Sequence, residues 1–192
     1  MADPKLTDIM RRLGYTQHWL DVGVVDEASV RSQFDAFRSS ADQNTEHYRH
    51  RAFVAFLHRR EQLAMDEALR LLALDDAAAN GTSLRVSRAI QLLACDLLTD
   101  AQFAELAEHP ALAHPSIQRV YRRQFALRRL RTERLTPTLF HEVQSTDDGA
   151  VHRGALQRDD LTRDQLEWLA ANGATRAVRN VAKQRLRRRQ PR

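Results

Sequence analysis

The sequence predicts an all-α chain, an α-solenoid-like stack of antiparallel helix pairs with an N-terminal helical cap. Three observations predict it. Ala and Leu, both helix formers, carry most of the apolar content, while 192 residues contain only 6 Gly and 5 Pro. Apolar residues recur at helical spacing in short stretches, each opened by a capping residue and closed by a polar break. One beat also recurs: LTRDQLEWLAANG from Leu161, LTDAQFAELAEH from Leu98, LTPTLFHEVQST from Leu135 and a looser LAMDEALRLLALDD from Leu63, with leucine spacings of 35, 37 and 26 residues. Helical units repeating at a roughly fixed period are the mark of a repeat array.

The elements follow in order. Thr7 is the expected cap of a first turn, Asp8 to Leu13, stopped by Gly14. Tyr15, Trp19, Leu20 and Val22 form an apolar patch, read as the cover of the first helix pair. Asp26 caps a helix with Val30, Phe34 and Phe37 on its apolar face. The polar break Ser39 to Asn44 divides an N-terminal cap, 1–40, from a repeat array, 41–192. Thr45 to Leu57 is helical, with Phe53, Phe56 and Leu57 inward and His47, His50 and His58 around it. Arginines bracket these histidines and would repel a cation, so they are read as surface groups.

Met65 to Leu74 is the partner helix, closed by Asp75-Asp76, and Asn80-Gly81 marks a linker. Thr82 or Ser83 caps the next helix, which buries Leu84, Ala89, Leu92 and Leu93 and reaches Cys95, read as a small buried hydrophobe. Thr99 caps the next helix, and His109 to Pro115 is a rigid turn. Ser116 is the expected cap of a basic helix packed through Ile117, Val120, Tyr121, Leu127 and Leu130. Thr136-Pro137 starts another helix, with Leu139, Phe140 and Val143 inward. Val151 to Leu156 is short and broken by Asp159-Asp160. Thr162 and Gln165 form a capping box ahead of Leu166, Trp168, Leu169 and Ala170, and Asn172-Gly173 ends that helix. Thr175 caps the last helix, whose apolar residues are Ala177, Val178, Val181, Ala182 and Leu186.

Charge is divided along the chain. Residues 1–115 hold 12 Lys/Arg against 17 Asp/Glu, and residues 116–192 hold 18 against 8. Seven arginines fall between 119 and 134, where Glu133 is the only acid. Either neighbouring repeats supply the missing acids or the arginines form a binding stripe. The candidate anion-binding residues are Arg119, Arg122, Arg123, Arg128, Arg129 and Arg131, with Arg176, Arg179, Lys183, Arg185, Arg187, Arg188 and Arg189. An acidic front and a basic back also allow head-to-tail pairing in a homodimer.

The stretch 151–186 resembles the helical repeats of bacterial HEAT-like and leucine-rich-variant proteins. Its matching residues are Leu161, Thr162, Leu166, Leu169, Ala170, Val178, Arg179, Val181 and Ala182, and the match is weaker over 82–146. The resemblance implies stacked helix pairs serving as a protein-binding scaffold. A DNA-glycosylase branch of helical-repeat proteins grips duplex DNA with a basic concave face, but no catalytic aspartate–tryptophan pair of that branch maps onto this sequence. Some leucine-rich-variant proteins bind iron–sulfur through a cysteine cluster, and Cys95 is the single cysteine here.

That single cysteine excludes an internal disulfide and a four-thiolate metal site within one chain, and suits a reducing compartment. No Gly-rich phosphate loop, Gly-x-Ser-x-Gly elbow or Cys-x-x-Cys occurs. The acid pairs lie where helices end, with nothing to orient them for acid–base chemistry. No apolar run approaches the length of a membrane span, and MADPKLTDIMRRLG has no secretion core. The expectation is a cytoplasmic, non-enzymatic interaction module without cofactor, catalytic residues or metal. Its partner is a protein or peptide, and the alternative partner is DNA or RNA.

Overall fold

The computed structural model describes residues 5–74 and 82–188. Among these residues the chain is all helical: α1 (Leu6–Leu13), α2 (Gln17–Asp21), α3 (Glu27–Ser39), α4 (Thr45–His58), α5 (Met65–Leu72), α6 (Thr82–Ala94), α7 (Asp100–Glu105), α8 (Pro115–Thr132), α9 (Pro137–Ser145), α10 (Gly149–Leu156), α11 (Arg163–Asn172) and α12 (Arg176–Arg188). Two 3-10 turns, Leu106–Glu108 and Pro110–Leu112, lie between α7 and α8. The expected closing pair Asp75-Asp76 and linker Asn80-Gly81 lie outside the described residues, as do the side chains of Thr82 and Ser83.

The recurring leucine does the same job four times. Leu63, Leu98, Leu135 and Leu161 each immediately precede an N-cap, and all are buried. The fourth residue of each following helix, Ala68, Phe103, Phe140 and Leu166, is buried as well. These are the two positions of a hydrophobic staple, which fixes the angle at which chain enters helix. Thr99 and Thr162 complete capping boxes with Gln102 and Gln165, and Thr136 receives the Leu139 N–H. Ala64 fills the N-cap position in the looser copy and offers no side-chain acceptor.

Other boundaries differ from expectation. Thr7 lies inside α1, whose N-cap position is Lys5. Ser116 lies inside α8, which starts at Pro115; the ring of His114 accepts the Ser116 N–H in the capping role. Asp148 caps α10 through the Ala150 and Val151 N–H groups. Gly14 takes a left-handed φ of 78°. Gly173 has an ordinary φ of −53°, and what it provides is room: a Cβ there would lie 2.5 Å from Val178 Cγ1 and 2.7 Å from the Leu169 carbonyl oxygen.

The chain divides into two compact units, residues 1–120 and 121–192. In the first, α1 packs on α3 and α4, and α6 packs on α4 and α5. Its core includes Leu13, Trp19, Val30, Phe53, Leu71, Leu92 and Phe103. The Leu63 amide donates to the Leu97 carbonyl, and Gln102 reaches back to the Leu63 carbonyl, so two leucine steps lie side by side. Cys95, expected in the core, is half-buried just past the end of α6, and burial raises its thiol pKa.

In the second unit α12 packs on α11 and α10, and α9 meets α10. One core joins Leu130, Leu139, Val143, Val151, Ala155, Leu166, Leu169, Val178 and Ala182. Gly154 lets α10 approach α8, where a Cβ would stand 2.9 Å from a Leu127 methyl. Trp168 is half-buried, its indole edge-to-face with Phe140 and with His152. The Leu135 amide donates to Asp160, the residue before Leu161, so here too consecutive leucine steps adjoin.

Candidate functional site

The candidate arginines separate by where the helices carry them. Asp148 takes the Arg123 Nε at 2.5 Å. Glu133 and Glu142 share the Arg129 guanidinium, which lifts its pKa further, Glu133 first. Arg128 is 5% exposed. For Arg123 and Arg129, acids that the α8 sequence lacks come from α9 and from the turn into α10, with Glu133 just past α8. Arg123 and Arg129 thus pair with carboxylates of their own unit, and Arg128 is buried.

Other arginines serve the backbone. Helix C-termini leave carbonyls without intrahelical donors, and a guanidinium satisfies them with charge-assisted bonds aligned with the helix dipole. Arg158 donates to the Leu130 carbonyl near the end of α8. Arg185 does the same at the end of α10, reaching the Leu156 and Arg158 carbonyls. Arg179 reaches the Gly173 carbonyl at 2.5 Å, just past α11. In the first unit buried Arg49 donates to the Leu13 carbonyl. Buried Arg88 donates to the Leu74 carbonyl at 2.6 Å and lies 5.1 Å from the Trp19 ring centroid. Arg49, Arg88 and Arg158 were not among the candidate residues that the sequence singled out. For Arg88 the signal was its place between Leu84 and Leu92 at helical spacing; Arg49, in a run of histidines and arginines, gave none.

The remaining candidates are exposed. They are Arg119, Arg122 and Arg131 on α8, and Arg176, Lys183, Arg187 and Arg188 on α12. Arg189 lies outside the described residues. On α12 no ion pair engages Arg176, Lys183, Arg187 or Arg188 among the described residues, and no acidic residue occurs on that helix.

Alpha-helix α12 also departs from its expected packing. Val178 and Ala182 are buried, but Ala177 and Val181 face solvent, Val181 at 45% exposure. The reason is angular: Val178 and Ala182 point at α11 and α10, and Val181 lies on a different side of the helix. An open groove of about 480 Å³ runs between α11 and α12, lined by Glu167, Ala170, Ala171, Arg179, Lys183 and Leu186. A second, shallow hollow of about 370 Å³ lies across Lys183 on the outer side of α12 itself, among Asn180, Val181, Gln184 and Arg187. The acid in the first groove, Glu167, accepts a hydrogen bond from Arg163 at 2.9 Å. This face combines Ala170, Ala171 and Leu186 with the exposed cations Lys183 and Arg187.

The histidine helix shows local uses for its imidazoles. His47 contacts Asp42 at 2.9 Å and His50 meets the Ser87 hydroxyl at 3.4 Å. Among the described residues no three His, Cys, Asp or Glu converge in a way that would hold a metal ion, and no helix is long and apolar enough to cross a membrane. Buried His152 is the most constrained imidazole: Nδ1 accepts the Ala174 N–H at 2.9 Å, so Nε2 carries the proton and donates to the Val143 carbonyl at 3.0 Å. Tyr15 is buried with its hydroxyl donating to Gln33, and burial raises its pKa. No family model, curated protein or solved structure matches the chain.

Proposed function

We propose that the chain is a non-enzymatic helical-repeat interaction module, a stack of antiparallel helix pairs that binds a protein or peptide. Support for the stacking comes from links between alternate elements. Phe140 of α9 meets Trp168 of α11, Arg158 beyond α10 caps α8, and Arg185 of α12 caps α10. These links join α8 to α10, α9 to α11 and α10 to α12, the next-but-one contacts that stacked helix pairs make.

The observation that carries the choice of partner is what the arginines do. Arg123, Arg129, Arg179 and Arg185 are held by internal carboxylates or carbonyls, which breaks up a continuous phosphate-binding track. Exposed charge persists on α12, where it stands beside the apolar side chains Ala170, Ala171 and Leu186 on one side and Val181 on the other. Protein interfaces pair an apolar centre with a polar rim, whereas phosphate backbones need cations and little else.

The test has two arms. Random peptides selected on the immobilised chain should yield a family of related sequences, and a synthetic member should bind with one-to-one stoichiometry by calorimetry. Duplex DNA and single-stranded RNA are titrated at about 50 and 200 mM salt, with Arg122→Glu and Arg179→Glu alongside. A nucleic-acid affinity that falls about a thousandfold over that range and is weakened by Arg122→Glu would overturn the reading.

A further inference from the structure

We propose that the α11–α12 face around Lys183 docks an acidic amphipathic helix of a partner protein; this rests on the interaction-module reading above. The occupant follows from shape, composition and charge. Ala170 and Ala171 on α11 and Leu186 on α12 give the groove an apolar floor. Side chains this small let a helix backbone come close, so the floor fits a ridge of larger apolar residues spaced i, i+3 or i+4, and i+7. Across Lys183, the neighbouring hollow presents Val181 at 45% exposure. With 13 residues, α12 offers a track about 20 Å long, matched by a partner helix of about 13 residues.

Charge settles the sign of the partner's flanks. Lys183 separates the groove from the hollow, and Arg187 lines the hollow. Both are exposed, neither has an ion pair among the described residues, and α12 contributes no acid. Glu167, the acid of the groove, is already held by Arg163, so the unmatched charge of the face is positive. Glutamates or aspartates flanking the partner's apolar ridge would meet Lys183 and Arg187. A phosphate backbone would satisfy the same cations and leave Ala171, Leu186 and Val181 uncovered, which is why a helix fits the face better.

The experiment uses the full chain and a fluorescent helical peptide of about 16 residues with leucines on one face and glutamates on the others, a length that spans the track. Anisotropy is read at physiological salt. Its counterpart with every Glu replaced by Gln, a leucine-scrambled peptide and a short DNA duplex are the comparison probes. Lys183→Glu combined with Arg187→Glu removes the charge match. Ala171→Arg keeps the charge positive and fills the groove. All three positions are solvent-exposed, and circular dichroism confirms the helix content of each variant.

The acidic amphipathic peptide should bind, and both variants should weaken it about tenfold or more. The Gln peptide and the scrambled peptide should bind at least about tenfold more weakly than the parent. Unchanged affinity in Ala171→Arg overturns the docked helix, because attraction by charge alone does not need the groove. Duplex DNA displacing the peptide and binding more tightly assigns the face to nucleic acid. A concentration-dependent dimer in sedimentation that Ala171→Arg abolishes assigns it to a second copy of the chain. If selected peptides bind but ignore both variants, the docking site falls while the interaction-module reading stands. If only nucleic acid binds, both fall.

Discussion

Gly14 and Gly23 share a left-handed backbone, with φ of 78° and 74°, yet their surroundings differ completely. A Cβ on Gly23 would meet nothing within 4 Å. A Cβ on Gly14 would sit 1.8 Å from Arg49 Nη1 and 2.7 Å from its Cζ. Gly23→Ala should therefore cost only the left-handed penalty, about 1 kcal/mol. Gly14→Ala should add the displacement of a guanidinium that is 2% exposed and donates to the Leu13 carbonyl. Losing a charge-assisted bond of this kind costs about 1.5–3 kcal/mol, so the total should be about 3 kcal/mol. Urea unfolding followed by Trp19 emission in a Trp168→Phe background reports on the correct unit, since Trp19 is fully buried there. In an Arg49→Met background the guanidinium is gone, and the cost of Gly14→Ala should fall back to about 1 kcal/mol. Equal costs at Gly14 and Gly23, or a cost at Gly14 indifferent to Arg49→Met, would refute the close-approach argument.

Substitutions at four further positions have expected outcomes. Burial alone would raise the Asp148 pKa, but Arg123 and the Ala150 and Val151 N–H groups outweigh it and hold it below the usual carboxylate value. A depressed folded pKa gives stability that is present above the unfolded value of about 3.9 and is lost as pH falls through the folded one. Asp148→Asn should thus flatten the acid limb of the pH–stability curve of the second unit below about pH 4 while keeping the α10 cap, and Asp148→Ala should cost about 1 kcal/mol more than Asp148→Asn at pH 7. His152→Leu leaves the Ala174 N–H unanswered, while the Val143 carbonyl keeps the Thr146 hydroxyl and N–H, and it should destabilise that unit by about 1–3 kcal/mol in urea titrations. Thr162→Ala removes the acceptor for the Gln165 N–H and should cost about 1 kcal/mol, read as a lower thermal midpoint, whereas Ala64→Thr should stabilise α5 by supplying the side-chain cap its N-cap lacks.

Helical class, most helix boundaries and the recurring leucine step were legible in the sequence because they are written locally. A cap, a staple and a 3.6-residue apolar spacing all act within one or two turns, and Asp26, Thr99, Thr136, Thr162 and Thr175 do what their neighbours imply. The helix within the apolar patch Tyr15 to Val22 was less legible: α2 has five residues, too short to show periodicity. What each arginine does was not legible either. Arg122 and Arg123 are neighbours in sequence, but Arg122 is exposed while Arg123 meets Asp148, which arrives from 25 residues away. Arg49 meets the end of α1 across 36 residues, and Arg185 meets the end of α10 across 29. A guanidinium's partner depends on which helix end comes to rest beside it, and packing of distant segments sets that position. By itself the sequence determined that the chain forms capped amphipathic helices with surplus positive charge in its second half. Tertiary structure alone decided which of those charges are spent closing helix ends and which, around Lys183, are left facing solvent beside an apolar groove.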